Sequence, residues 1–112
     1  MGLVDSGRFD ELCQALGKEQ VLMLVELLPV SYEEERTRLV DAVKNKNVEG
    51  VRRSAHTIKG MAGNMAASTL EAEALALESF EGDFSDPLEE KIKLFDQLVA
   101  ETVDAMKEIV AN

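Results

Sequence analysis

Apolar residues recur at intervals of three and four along much of this chain, and the pattern is clearest near its end. The residues at these intervals are Leu88, Ile92, Phe95, Val99, Val103, Met106 and Val110. Such spacing places side chains on one face of an α-helix, because the helix turns once in about 3.6 residues. A helix with one apolar face is stabilised by packing against other helices, so this segment predicts a helical bundle.

Composition also favours an all-α fold. The apolar fraction is 46%, with four Phe, one Tyr and no Trp, so aliphatic residues dominate it. Only two prolines occur, and no Asn-Gly or Asp-Gly pair, a typical hairpin signal, separates alternating apolar segments. A chain of 112 residues is long enough for one domain with a single core. We predict an antiparallel up-and-down four-helix bundle over residues 1–112, with a short N-terminal helix laid across it.

The first two helices are expected to meet at a glycine. The first begins near Asp5 or Ser6 and ends at Gly17, because glycine readily takes the left-handed conformation that ends many helices. The second begins around Lys18, with a kink or break near residues 27–30, since Pro29 removes a backbone hydrogen bond and clashes one turn back. The first helix is expected to bury Phe9, Leu12, Cys13 and Leu16.

Capping signals set the remaining boundaries. Asn47, at the end of a polar stretch, is a good N-cap for the third helix. The sequence Ser-Thr-Leu-Glu at 68–71 is a capping box, which predicts the start of a fourth helix. Residues 81–85 are typical of a short turn. Asp86 then caps the last helix, and Pro87 suits its first position.

Charge and cysteine content exclude several classes of function. The net charge of −10 argues against nucleic-acid binding, which requires an excess of Lys and Arg. No apolar run reaches the roughly 18 residues of a membrane span, and the N-terminus does not resemble a signal peptide. We therefore expect a cytoplasmic protein without membrane contact. Cys13 is the only cysteine, which excludes an internal disulfide. Its position on the apolar side of the first helix favours a small buried hydrophobe over a reactive thiol.

The only histidine lies within residues 50–70, a stretch that contains no acidic residue. A helical wheel places basic residues and glycines on one face, namely Arg52, Arg53, His56, Lys59, Gly60 and Gly63. The opposite face carries Val48, Val51, Ala55, Ile58, Ala62 and Met65. Each glycine in the middle of the helix costs about 0.8–1 kcal/mol of helix stability relative to alanine. Because both glycines lie on the same face as the histidine and the basic residues, this face favours close approach of an anionic group. Alternatively, the glycines admit another helix of the same bundle, and the histidine is an ordinary surface residue.

Several chemistries of histidine are excluded by the rest of the chain. A zinc-protease helix needs two histidines, and a di-iron bundle site needs paired Glu-x-x-His motifs, whereas Arg53 stands three residues before His56. No strand is present for a serine hydrolase, and no glycine-rich loop before a helix could hold ATP. We therefore expect no metal or cofactor. What remains is an imidazole that accepts a group from another protein and passes it on, since neutral imidazole is nucleophilic near pH 7.

The sequence His-Thr-Ile-Lys-Gly at 56–60, followed by Ala62-Gly63, closely resembles the signature of histidine-containing phosphotransfer (HPt) domains. These domains are carriers in bacterial multistep phosphorelays. The resemblance implies that His56 accepts a phosphoryl group from a receiver-domain aspartate or a kinase and passes it to a response regulator. It implies that the partners are receiver domains and a hybrid or other sensor histidine kinase. It also implies that this chain is a monomer. The receiver would hold the Mg²⁺ ion, and this chain would hold no cofactor.

The resemblance also implies roles for neighbouring residues. Lys59 would offset phosphoryl charge, and Gly60 would leave space for the receiver. Glu78, which lies 22 residues after the histidine, would accept a hydrogen bond from Nδ1–H of the imidazole, although it could instead be a solvated helix glutamate. The residues expected to contact a partner are Arg52, Arg53, Gly60, Met61, Gly63 and Asn64.

The chain departs from the family pattern at two positions. Met61 stands where a small residue is usual, so the partner surface is expected to be bulkier and more apolar. Ala66 stands where a glycine often ends the helix, and a positive φ would strain alanine, so the third helix is predicted to run on to Ala67.

Two other functions stay open from the sequence. One is a bundle that binds a receiver as an adaptor or inhibitor without phosphotransfer, against which His56 and Lys59 argue. The other is a helical scaffold unrelated to signalling, which would leave the basic face and its glycines unexplained.

Overall fold

The computed structural model describes residues 2–84 and 88–111, and within these ranges all regular structure is helical. The helices are α1 (Ser6–Leu16), α2 (Lys18–Lys44), α3 (Val48–Asn64), α4 (Ser68–Glu78) and α5 (Leu88–Ala111). α3 packs against α2 and α4, α5 packs against the same two helices, and α1 lies against α2. The predicted all-α bundle is confirmed. The predicted cap Asp86 and first-turn Pro87 lie outside the described residues.

The apolar faces predicted from the sequence form one core. Its most deeply buried side chains are Phe9, Val21, Val25, Leu39, Val51, Ile58, Leu70, Phe95 and Met106. Leu16 is an exception, since it is 45% exposed. It is the last residue of α1, where the chain turns at Gly17. Among the described helices, none is both long and apolar enough to cross a membrane.

α2 is one continuous helix of 27 residues that contains Pro29, so of the two predicted alternatives the break is wrong. An interior proline costs a helix about 3 kcal/mol or more. That cost is offset by packing, because Val25 and Leu28 are buried just before the proline and Tyr32 just after it. Burial on both sides of Pro29 keeps the two halves of the helix together.

Helices α1, α3 and α4 begin at the positions that the sequence predicts, and side chains cap the first two. Asp5 accepts a hydrogen bond from the Arg8 amide at 3.2 Å, and Asn47 accepts one from the Gly50 amide at 3.0 Å. The capping box at 68–71 is wrong, because Ala67 occupies the N-cap of α4 and makes no side-chain cap bond.

The turn between α3 and α4 corrects the prediction that α3 runs on to Ala67. α3 ends at Asn64, and Ala66 has a φ of 60°. The Ala67 amide donates to the Ala62 carbonyl at 2.8 Å, and the Ala66 carbonyl accepts from the Asp5 amide at 2.8 Å. These hydrogen bonds and the burial of the Ala66 side chain hold the residue in a conformation that alanine rarely adopts.

Asp96 of α5 joins two side chains of α2. Its Oδ1 accepts from the Tyr32 hydroxyl at 2.6 Å and from Arg36 Nε at 2.8 Å. Burial of the phenol, and then its hydrogen bond to Asp96, raise the pKa of Tyr32 well above its ordinary value of 10.0. The neutral phenol is therefore the form that the fold stabilises.

We expect Tyr32→Phe to lower the free energy of unfolding at pH 7 by about 1–2 kcal/mol, because a hydrogen bond to a charged group is lost. A raised pKa means that this contribution is complete below the ordinary value and is lost as pH rises above about 10. Urea unfolding from pH 7 to 11 should therefore show a steeper alkaline loss for the wild type than for the variant. Equal stability and equal alkaline slopes would contradict this contribution of Tyr32.

Candidate functional site

His56 lies in the middle of α3, and its side chain is 66% exposed. The flanking residues Ala55 and Ile58 are fully buried, which fixes the rotation of α3 against the core. Because side chains on a helix diverge by about 100° per residue, burial of that face directs the imidazole outward. The core packing therefore presents the histidine to solvent.

The carboxylate of Glu78, the last residue of α4, connects the histidine to a lysine. Glu78 Oε2 lies 2.7 Å from His56 Nδ1, and Glu78 Oε1 lies 2.8 Å from Lys59 Nζ. Lys59, followed by His56, holds the pKa of Glu78 below its ordinary value, so the carboxyl is ionised at neutral pH. An ionised carboxylate only accepts hydrogen bonds, so in the neutral imidazole Nδ1 carries the proton and Nε2 carries the lone pair.

The two glycines of this face have different surroundings. Among the residues described, no atom lies within 4 Å of the position that a Cβ of Gly60 would take, apart from the helix's own nearby backbone. A Cβ at Gly63 would lie 2.8 Å from Glu71 Oε2, and the Gly63 carbonyl accepts a hydrogen bond from Arg8 at 2.7 Å. Gly60 thus leaves open space one turn from His56. Gly63 instead supports the alternative hypothesis, in which a glycine lets another helix of the same bundle come close, here α4 through Glu71.

The other residues expected to contact a partner differ in exposure. Arg53 and Asn64 are exposed, whereas Met61 is half-buried and packs against the core. Arg52 is also half-buried, and its Nε donates to the Phe80 carbonyl at 2.6 Å. Part of the Met61 side chain therefore packs inside the bundle and is not available to a partner. Arg52 forms an intramolecular hydrogen bond that the sequence did not reveal.

A family model described as the Hpt domain matches residues 23–111, which include the whole of α3, α4 and α5. The chain belongs to the Hpt domain family. The resemblance of residues 56–63 to that family is thereby confirmed, and a general role in phosphorelay phosphotransfer within two-component signalling follows from membership. No curated protein and no solved structure matches the chain significantly.

An apolar stripe on α2 of this Hpt domain is a further surface that the sequence analysis missed. We define the stripe as Met23, Leu27 and Val30, which are 59%, 53% and 57% exposed. Their spacing of four and three places them on one face of the helix. The sequence could not single them out, because α2 also carries buried apolar residues and only packing shows which face stays uncovered. Exposed apolar surface of this kind is typical of protein-binding sites.

The His, Cys, Asp and Glu side chains of the described residues form no group of three or more that could hold a metal ion. The side chains of the site offer three chemical groups. These are a nucleophilic nitrogen, a carboxylate that orients it and an ammonium group next to that carboxylate.

Lys59→Ala in this Hpt domain is expected to raise the pKa of Glu78 back toward 4.5 and to slow phosphoryl transfer without unfolding the bundle. The lowered pKa means that Glu78 contributes stability above the carboxyl's ordinary value and loses it as pH falls through the lowered value. Carboxyl ¹³C NMR titration of wild type and variant measures the change.

The matched control is Lys93→Ala, since Lys93 is an exposed lysine whose contact with Glu90 is 3.7 Å long. It should leave the pKa of Glu78 and the transfer rate as in the wild type. If Lys59→Ala unfolds the protein, the lysine is structural and its expected role in transfer is wrong.

Proposed function

We propose that this Hpt domain accepts a phosphoryl group on Nε2 of His56 from a receiver-domain aspartate or a kinase, and passes it to a response regulator. The observation that carries the proposal is the 2.7 Å contact between Glu78 Oε2 and His56 Nδ1. By fixing the proton on Nδ1, it directs the nucleophilic lone pair to the other ring nitrogen. The open space at Gly60 lies one turn away on the same helix.

The transfer step needs little beyond positioning and charge. The Nε2 lone pair attacks phosphorus, an N–P bond forms, and the bond from phosphorus to the aspartyl oxygen breaks, which returns the aspartate as a carboxylate. The imidazole gains positive charge, which the Glu78 carboxylate stabilises through Nδ1–H. Lys59 offsets charge on the phosphoryl oxygens, and the receiver supplies Mg²⁺. Transfer onward is the same step in reverse with a second receiver.

The partner is a protein surface rather than a nucleic acid or a membrane. The chain is strongly acidic, and the apolar stripe on α2 offers exposed surface of the kind that proteins bind. We also infer antiparallel up-and-down topology for helices α2 to α5 and a monomeric state. The short connections 45–47 and 65–67 support this topology, since they favour antiparallel neighbours. A cytoplasmic location stays a prediction.

The proposal is tested by incubating the protein with a panel of receiver domains phosphorylated with a ³²P-labelled phosphodonor. We expect at least one receiver to transfer label to this chain in an acid-labile, base-stable form, as is typical of phosphohistidine. The panel also separates the alternatives. An adaptor or inhibitor would bind a receiver without acquiring label, and a scaffold unrelated to signalling would do neither.

A further inference from the structure

Arg52 of α3 forms a hydrogen bond with the segment that directly follows α4. Its Nε donates to the backbone carbonyl of Phe80 at 2.6 Å, which joins two residues 28 positions apart in the sequence. Phe80 follows Glu78, the last residue of α4, by two positions. The guanidinium therefore contacts the segment that directly follows the carboxylate of the site.

The last turn of α4 carries no basic residue of its own. The Ser79 amide lies 3.4 Å from the Ala76 carbonyl, and the Phe80 amide lies 3.0 Å from the Leu77 carbonyl. The last carbonyls of a helix lack intrahelical donors and carry partial negative charge. Arg52 places a cation beside this helix end through its bond to the Phe80 carbonyl, two residues beyond Glu78.

The carbonyl that Arg52 contacts is itself held in place. The Phe80 ring packs against the core and meets the Phe84 ring edge-on, with centroids 5.0 Å apart and planes at 78°. Gly82 turns the chain between the two rings with a φ of 104°, a conformation that glycine readily takes. The bond from Arg52 therefore joins α3 to a segment whose aromatic rings pack against the core.

We propose that Arg52 is a positioning residue for phosphoryl transfer, because it clamps the end of α4 to α3 and so holds Glu78 at Nδ1 of His56. Arg52 stands one turn before His56 on α3, and Phe80 stands two residues after Glu78. The bond from Arg52 to Phe80 and the contact between Glu78 and His56 therefore join the same two segments, which are α3 and the end of α4. Without the clamp, Glu78 moves relative to the imidazole and fixes the Nδ1–H tautomer less completely. This inference rests on the proposed function, and it gives Arg52 an intramolecular role in place of the partner contact expected from the sequence.

The experiment compares Arg52→Gln with Arg53→Gln, which removes the same charge from the next residue, an exposed one. Long-range ¹⁵N NMR of the His56 ring measures the Nδ1–H and Nε2–H populations. The transfer rate is measured at saturating phosphorylated receiver, and the Kd of the receiver is measured separately. We expect Arg52→Gln to raise the Nε2–H population and to lower the saturating rate about tenfold, less than the roughly 100-fold cost of a 1 Å misplacement. Arg53→Gln should leave the tautomer populations as in the wild type.

Two further variants complete the test. Arg52→Lys keeps a cationic donor and should recover part of both effects, and it carries the comparison if Arg52→Gln does not fold. The double variant, Arg52→Gln with Glu78→Ala, should transfer less than about twofold more slowly than Glu78→Ala alone, because Arg52 acts through Glu78.

Three results would overturn the inference. The first is an unchanged tautomer population in folded Arg52→Gln. The second is a raised receiver Kd at an unchanged saturating rate, which indicates a partner contact. The third is a full tenfold loss from Arg52→Gln in the Glu78→Ala background. If the wild type acquires no phosphoryl group at all, the proposed function fails, while the tautomer comparison still decides whether Arg52 controls the contact between Glu78 and His56.

Discussion

His56→Gln is expected to abolish phosphoryl uptake from every receiver that labels the wild type. Glutamine has no nucleophilic ring nitrogen, and no second histidine is present to replace it. The His56 side chain is 66% exposed, so its replacement removes little core packing. Helical content by circular dichroism and receiver affinity should therefore stay close to those of the wild type.

The control for this variant is the acid lability of the label. Residual transfer of label to His56→Gln, whatever its acid lability, would show that another residue accepts the phosphoryl group, and the proposed role of His56 would be wrong. Loss of both uptake and receiver affinity would indicate that the imidazole also serves binding, which the exposed position allows but the proposed chemistry does not require.

Gly60→Gln is expected to keep the bundle folded and to lower receiver-to-His56 transfer by about 100-fold. Gly60 lies one turn from His56 with open space around it, so a long side chain there occupies the space that a receiver must enter. In-line transfer tolerates little displacement, and about 1 Å can cost roughly that factor. Gly60→Ala adds only a methyl group and should raise stability by up to about 1 kcal/mol, because alanine is the better helix former.

Thermal unfolding and transfer rate, measured for both variants, separate docking from packing. If the glycine serves the docking of a receiver, stability rises or holds while transfer falls. Loss of stability together with loss of transfer would place Gly60 in helix packing, and the docking face would lie elsewhere. Gly63→Ala is the comparison within the same helix. Its Cβ would meet Glu71, so it should stabilise less than Gly60→Ala.

The local elements of this fold follow from the sequence because their signals act within a few residues. Apolar spacing identifies the core faces of α3 and α5, and the side chains of Asp5 and Asn47 cap helices in the positions where short polar residues favour them. The family signature at 56–63 identifies the histidine in the same way. Each of these signals depends on residues that are close together in the chain.

Tertiary packing decided the features in which local preference competes with burial. Pro29 stays inside α2 because buried side chains on both sides outweigh the cost of the proline. Ala66 takes a positive φ because the turn that joins α3 to α4 is held by hydrogen bonds. Glu71 contacts Arg8 at 3.5 Å instead of completing a capping box. In each case a contact between separate elements outweighs the local preference.

The sequence by itself determined an all-α Hpt domain and the residue types available for its chemistry, because periodicity, charge and a short motif can be read from neighbouring residues. Only the tertiary structure decided which glycine is open, where Arg52 is bonded and which face of α2 stays uncovered. These features depend on how α3 and α4 approach each other and on what covers α2. Such distances between segments that are remote in the chain are set by packing of the whole core.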